Sequence, residues 1–135
     1  MAKPPTVADL TWLGDLRFSA VSAHESMTLD STGLAGPSPV QALAFALAGC
    51  MAMDIAFILT KGRYALHAFR AHLAADRSVE DPHRIVSAAL HFTVEGDVPP
   101  DAVERAIALS HDKYCSVWHS MRQDIAFTTT YEVRA

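Results

Sequence analysis

Apolar and polar positions alternate through the first thirty residues. Ala8, Leu10 and Trp12 fall opposite Val7, Asp9 and Thr11, and Leu16, Phe18 and Ala20 fall opposite Arg17, Ser19 and Val21. Period-two alternation around a Gly14-Asp15 turn predicts two strands, and Glu25 to Asp30 adds a shorter third. The stretch STGLAGPSP is a loop by composition. A helix then begins sharply. Ser38 is a good N-cap, Pro39 suits the first helical position, and Gln41 falls where a capping box returns a side chain to the Ser38 backbone N–H. Lys61 suits the far end of the helix dipole, and Gly62 is expected in the left-handed position just beyond it. The predicted helix is about 23 residues and about 35 Å long.

Two further strands are predicted at residues 65–75 and 84–95. Val86, Ala88, Leu90, Phe92 and Val94 alternate strictly, and Glu80-Asp81-Pro82 marks the turn of an antiparallel hairpin. Pro100 to Leu109 reads as a helix with Val103 and Ile107 inward, and Asp112 to Arg122 as a second helical segment carrying Cys115. A last strand places Ile125, Phe127, Thr129, Tyr131 and Val133 on one face. The order is β-β-β-α-β-β-α-α-β, an α+β pattern. No repeat or linker interrupts it, so residues 1–135 are expected to form one domain.

Between Val40 and Thr60 the only clearly polar side chains are Gln41, Asp54 and Thr60. The stretch is long enough to span a bilayer. Its Leu, Ile, Phe and Val residues contribute about −0.3 to −0.6 kcal/mol each, whereas Asp54 alone costs about 2.5 to 3.5 kcal/mol near a helix centre. The sum is close to zero, so a buried core helix is expected and no membrane. A single chain of this size has a radius of gyration of about 14 Å and can hardly cover such a helix on every side. A homodimer is therefore expected, with Ala42, Ala46, Gly49 and Ala56 forming a small-residue stripe along which a second helix approaches.

Composition narrows the classes further. Half the residues are hydrophobic and 19% charged, which excludes a disordered chain. Eleven Lys and Arg against fifteen Asp and Glu leave no basic excess for nucleic acid. The N-terminal segment has no apolar run, so no signal peptide and a cytoplasmic location are expected. Two cysteines are too few for a disulfide scaffold.

Those two cysteines are the candidate chemistry. Cys50 lies mid-helix in ALAGCMAMD and Cys115 in HDKYCSVWH. Two readings stand: buried free thiols acting as small hydrophobes, or a redox pair in which one thiolate attacks and the other resolves the product. Nothing near Cys50 in sequence stabilises a thiolate, so an arginine from elsewhere is required. Cys115, in a first helical turn, is expected to gain thiolate character. His111, Cys115 and His119 recur every fourth residue and form part of a possible metal-ligand face, which lacks a further ligand; a bend near Leu109 to Asp112 would take His111 off it. No metal and no cofactor are expected, since no phosphate-cradling or dinucleotide fingerprint is present.

GPSPVQALAFALAGCMAMDIAFILTKGR together with ERAIALSHDKYCSVWHSM resembles the OsmC/Ohr superfamily, over nearly the whole chain. The resemblance implies an intertwined homodimer with two long central helices crossing, and thiol peroxidase activity on organic hydroperoxides. It implies that Cys50 is the peroxidatic and Cys115 the resolving cysteine, that Arg17 holds the thiolate, and that a small dithiol or lipoyl-type reductant regenerates the pair. In the hydroperoxide-reducing branch a Glu follows the Pro of the helix start and orients the arginine. Here that residue is Val40, so the carboxylate–arginine pair of that branch cannot form. The alternative is a dimer of the same fold without significant peroxidase activity, binding a small apolar ligand at its interface. A metal-binding module built on Cys115 and its flanking histidines is a third reading.

Overall fold

Short hairpins organise the N-terminal part of the chain. In the computed structural model, which describes residues 2–135, β1 (Asp9–Gly14), β2 (Arg17–Ser22) and β3 (Glu25–Asp30) form an antiparallel sheet in that order. Both turns are tight because Asp15 and Ala23 accept positive φ, 49° and 52°. The indole of Trp12 donates to the Asp15 carbonyl at 2.9 Å, closing the first.

The long helix α1 (Pro39–Lys61) starts as its sequence dictates. The Ser38 N–H donates to Gln41 Oε1 at 2.9 Å and the Gln41 N–H to Ser38 Oγ at 3.2 Å, a reciprocal capping box. Its other end corrects the expectation for Gly62. The left-handed residue is Arg63, with φ 65°, while the Tyr64 N–H returns to the Leu59 carbonyl at 3.2 Å. At Gly62 a Cβ would crowd the Tyr64 ring at 3.0 Å, so glycine leaves that ring its room. One chain leaves a face of this helix uncovered, as its length and apolar character led us to expect. Leu47, Met51, Ile55 and Leu59 are buried, but Phe45, Met53 and Phe57 are 65%, 74% and 64% exposed in the single chain. By length and composition α1 could cross a bilayer.

Contacts divide the chain into two compact units, one ending at Leu43 and the other running from Ala44 to Ala135. In the second unit, β4 (Ala65–Arg77) and β5 (Ile85–Asp97) pair antiparallel, as the alternation predicts. A bulge at His67 shifts the register between Leu66 and Ala68; Gly96, at φ 140°, lies opposite, where a Cβ would strike the Ala65 carbonyl. The last strand, β6 (Ala126–Arg134), pairs parallel to β5. That geometry requires a crossover, supplied by α2 (Pro100–Leu109), a π-helical turn (Ser110–Tyr114) and α3 (Ser116–His119). The single helix expected from Asp112 to Arg122 is thus broken at Cys115.

One hydrophobic core fills this unit. Leu90, Phe92 and Val94 of β5 pack with the buried stripe of α1, with Ala102, Val103, Ala106 and Ile107 of α2, and with Trp118 and Ile125. Ring contacts tie its edge together: Phe69 and Phe92 centroids lie 5.7 Å apart, Trp118 and Phe127 4.6 Å.

Candidate active site

Helical geometry places Cys50 beside the buried face of α1. It precedes Met51 as Asp54 precedes Ile55, so both border the buried stripe on one edge, a single turn apart. Cys50 is half-buried and packs against the core cluster that contains Cys115. Cys115 itself is fully buried. Its N–H donates to the Ser110 carbonyl at 2.8 Å, closing the π-turn. Its backbone is extended, with φ −72° and ψ 100°, so it caps α3, and Sγ accepts the Trp118 N–H at 3.3 Å. Both cysteines are free thiols, and Cys50 lies close enough to Cys115 to bear on its ionisation.

The expectation that a helix start favours a Cys115 thiolate is corrected. Burial pushes this thiol up to about 11; the Trp118 N–H pulls the other way and is outweighed, and neighbouring Cys50 adds to the rise. The N–H groups of Trp118 and Val117 at a four-residue helix do not offset the removal of water from a thiolate.

The histidines do not form a face with Cys115. His111 Nδ1 lies 2.7 Å from Asp112 Oδ1 and its ring stacks on Phe127 at 5.7 Å, while His119 Nε2 lies 3.0 Å from the His111 carbonyl. The π-turn breaks the helical period, and among the described residues no group of three or more His, Cys, Asp or Glu is placed to hold a metal ion. A groove of about 320 Å³ lined by Glu104, His111, Phe127 and Tyr131 takes neither cysteine into its wall.

Two polar contacts escaped the sequence. The first lies in the N-terminal unit. Arg17 and Asp30 are paired residues of β2 and β3, and Arg17 Nε donates to Asp30 Oδ2 at 3.1 Å. Asp30 is fully buried, yet its carboxylate also accepts the Thr32 N–H at 2.8 Å, the Thr32 hydroxyl at 2.6 Å and the Ala35 N–H at 3.0 Å. These donors, the Thr32 hydroxyl foremost, outweigh burial and hold the carboxyl well below the usual carboxylate range. Gly36 lets the loop close over it, because a Cβ there would strike the Thr28 carbonyl. Thus Arg17 has an acidic partner, from a position the helix-start pattern did not suggest. The second contact joins α1 to the π-turn: Ser110 Oγ donates to Asp54 Oδ2 at 2.8 Å. Cross-strand register was the one available signal for the first; nothing local signalled the second.

An α+β chain with a long apolar helix holding one cysteine, and a second cysteine brought to it by a broken helical crossover, defines the class. The chain belongs to the OsmC-like protein family, whose family model matches residues 30–130. It is 36% identical over 135 residues to protein YhfA of Escherichia coli K12, covering 99% of this chain and 98% of that protein. Among solved structures it resembles a hypothetical protein of Aquifex aeolicus, with a TM-score of 0.90, 23% identity and 98% of each chain covered. It also resembles an organic hydroperoxide resistance protein OsmC of Legionella pneumophila, with a TM-score of 0.73, 17% identity, and 98% and 100% of the chains covered.

Proposed function

We propose that this protein is a homodimeric, cytoplasmic thiol peroxidase that reduces organic hydroperoxides in oxidative-stress defence. The observation that carries this reading is that two free thiols distant in sequence share one core, Cys50 packing against the cluster that contains Cys115. Family membership and the fold shared with a hydroperoxide resistance protein support it. The Cys50 thiolate attacks one peroxide oxygen, the O–O bond breaks, and the alkoxide leaves and takes a proton as the alcohol. Cys50 is then a sulfenic acid. Cys115, on losing its proton, attacks the Cys50 sulfur; the S–O bond breaks, water departs, and a disulfide remains. An external dithiol, small or lipoyl-type, restores both thiols.

Arg17 is the residue proposed to stabilise the attacking thiolate, and Asp30 is the carboxylate that orients its guanidinium. The exposed Phe45, Met53 and Phe57 of α1 support the dimer, because an apolar face of this extent is stable in water only when covered. A monomeric mass by light scattering at micromolar concentration would refute that part of the reading.

Titration of the reduced protein with tert-butyl hydroperoxide, cumene hydroperoxide and hydrogen peroxide tests the chemistry. The wild type is expected to lose both thiols with an intramolecular disulfide, and Cys50→Ser to lose none. Cys115→Ser is expected to stop at a sulfenic acid. Thiols unchanged in all three proteins would overturn the peroxidase and leave apolar-ligand binding by the dimer as the better account.

A further inference from the structure

Ser110 is fully buried, so its hydroxyl requires a partner inside the protein. A serine at the end of a helix commonly returns its hydroxyl to a carbonyl of its own preceding turn. This one instead crosses to α1 and donates to Asp54, an ionisable acceptor, at 2.8 Å. The two ends of that bond have particular neighbours. Asp54 lies one helical turn after Cys50. Ser110 is the first residue of the π-turn, and its carbonyl accepts the N–H of Cys115. The π-turn itself is a rare conformation that recurs at functional sites, and here it directs the chain so that Cys115 leaves the helix in extended backbone and points its sulfur into the core.

We propose that the Asp54–Ser110 hydrogen bond is a latch that fixes the start of the π-turn on the Cys50 helix and so positions Cys115 for disulfide formation. The inference rests on the reading of Cys50 and Cys115 as an attacking and resolving pair. Asp54 and Ser110 are positioning residues: they form no bond with the peroxide, and they act on the step in which the Cys50–Cys115 bond forms. Without the latch, the segment from Ser110 to Cys115 samples more conformations, and fewer of them present the Cys115 sulfur to Cys50.

The test measures this pairing without peroxide. Reduced protein is equilibrated with mixtures of reduced and oxidised glutathione; one oxidised glutathione takes two electrons from the cysteine pair and leaves as two reduced molecules. The fraction of intramolecular disulfide then gives the effective concentration of one thiol at the other. Asp54→Ala and Ser110→Ala are expected to lower it about tenfold or more, given a lost hydrogen bond to a charged group. Asp54→Asn is expected to lower it about threefold, and Ser110→Thr, which keeps the hydroxyl, to restore it almost fully. In a separate assay, the Cys115→Ser background is treated with tert-butyl hydroperoxide, which oxidises Cys50 to the sulfenic acid and leaves as tert-butanol; none of these substitutions is expected to slow capture of that sulfenic acid by dimedone, whereas a general loss of structure would.

Alanine variants with wild-type effective concentration overturn the latch, as does a wild type that forms no Cys50–Cys115 disulfide. If neither alanine variant folds by circular dichroism, Asp54→Asn decides: a fall of about threefold supports the latch and a wild-type value overturns it. A wild type that pairs with glutathione yet ignores hydroperoxide removes the peroxidase reading alone, and the same ratios still judge the latch.

Discussion

The two units of this chain are stabilised by opposite means. Up to Leu43, Asp30 is the one buried residue among those described, and Leu10, Trp12, Leu16, Phe18 and Met27 are exposed in the single chain. Ladder hydrogen bonds and a buried carboxylate with four donors hold that unit together. From Ala44 onward, an apolar core joins one sheet to its helices. A three-stranded sheet without a covered face is marginal by itself. The second unit contains both cysteines and enough buried area to keep them in register. The second unit is thus held by apolar packing, the first by a single fixed charge and its donors.

Core substitution should separate the two units most clearly. Phe92→Ala, at a fully buried position, is expected to cost about 3–5 kcal/mol in chemical denaturation. Leu10→Ala, half-exposed in the single chain, should cost well under about 1 kcal/mol in dilute monomer and instead weaken self-association. Equal losses for the two would erase the distinction. Next in size is Asp30→Asn, which leaves two donors without a partner and Arg17 without its carboxylate. Limited proteolysis within residues 31–37 should accelerate while the core melts almost unchanged. Because the Asp30 carboxyl is held below its ordinary value near about 3.9, its stabilisation is complete above that pH and fades only as pH falls further. Acid titration of loop protection, read by hydrogen exchange, checks the sign.

The contrast also predicts a response at alkaline pH, confined to the second unit. With the Cys115 thiol raised to about 11, its thiolate increases about tenfold per pH unit below that value, and the disulfide-forming step should accelerate in parallel. The linked stability has the opposite sign. The folded protein holds this proton more tightly than the unfolded chain does. Stability is therefore intact below the ordinary thiol value and declines as pH rises towards about 11. Stopped-flow measurement of the second step and denaturation series at several pH values test the two signs. The smallest effect belongs to the helix start, where Ser38→Ala should cost about 1 kcal/mol. A loss confined to the first turn of α1, with the core protected from exchange, is the expected pattern.

Legibility followed the range of the interactions. The three N-terminal strands, the Ser38–Gln41 capping box, the β4–β5 hairpin and the inner face of α2 all depend on neighbours within a few residues, and were readable from spacing. Glycine after a helix suggests left-handed backbone, whereas here Arg63 takes that conformation and Gly62 makes room for the Tyr64 ring. The helix expected to carry Cys115 is broken by a π-turn, which keeps helical composition while changing the direction of the chain.

By itself the amino-acid sequence determined the order of elements, the apolar excess of α1 and the two cysteines as the candidate chemistry. Local patterning and composition suffice for such features, since each follows from side-chain period or residue type. Tertiary structure alone decided that β6 runs parallel to β5, that Cys115 is buried and hard to ionise, that Arg17 meets Asp30, and that Ser110 reaches Asp54. Each of these sets groups separated by 13 to 56 residues side by side or removes one from water. The energy of a charge or a thiol depends on what surrounds it in space, and no local spacing records that.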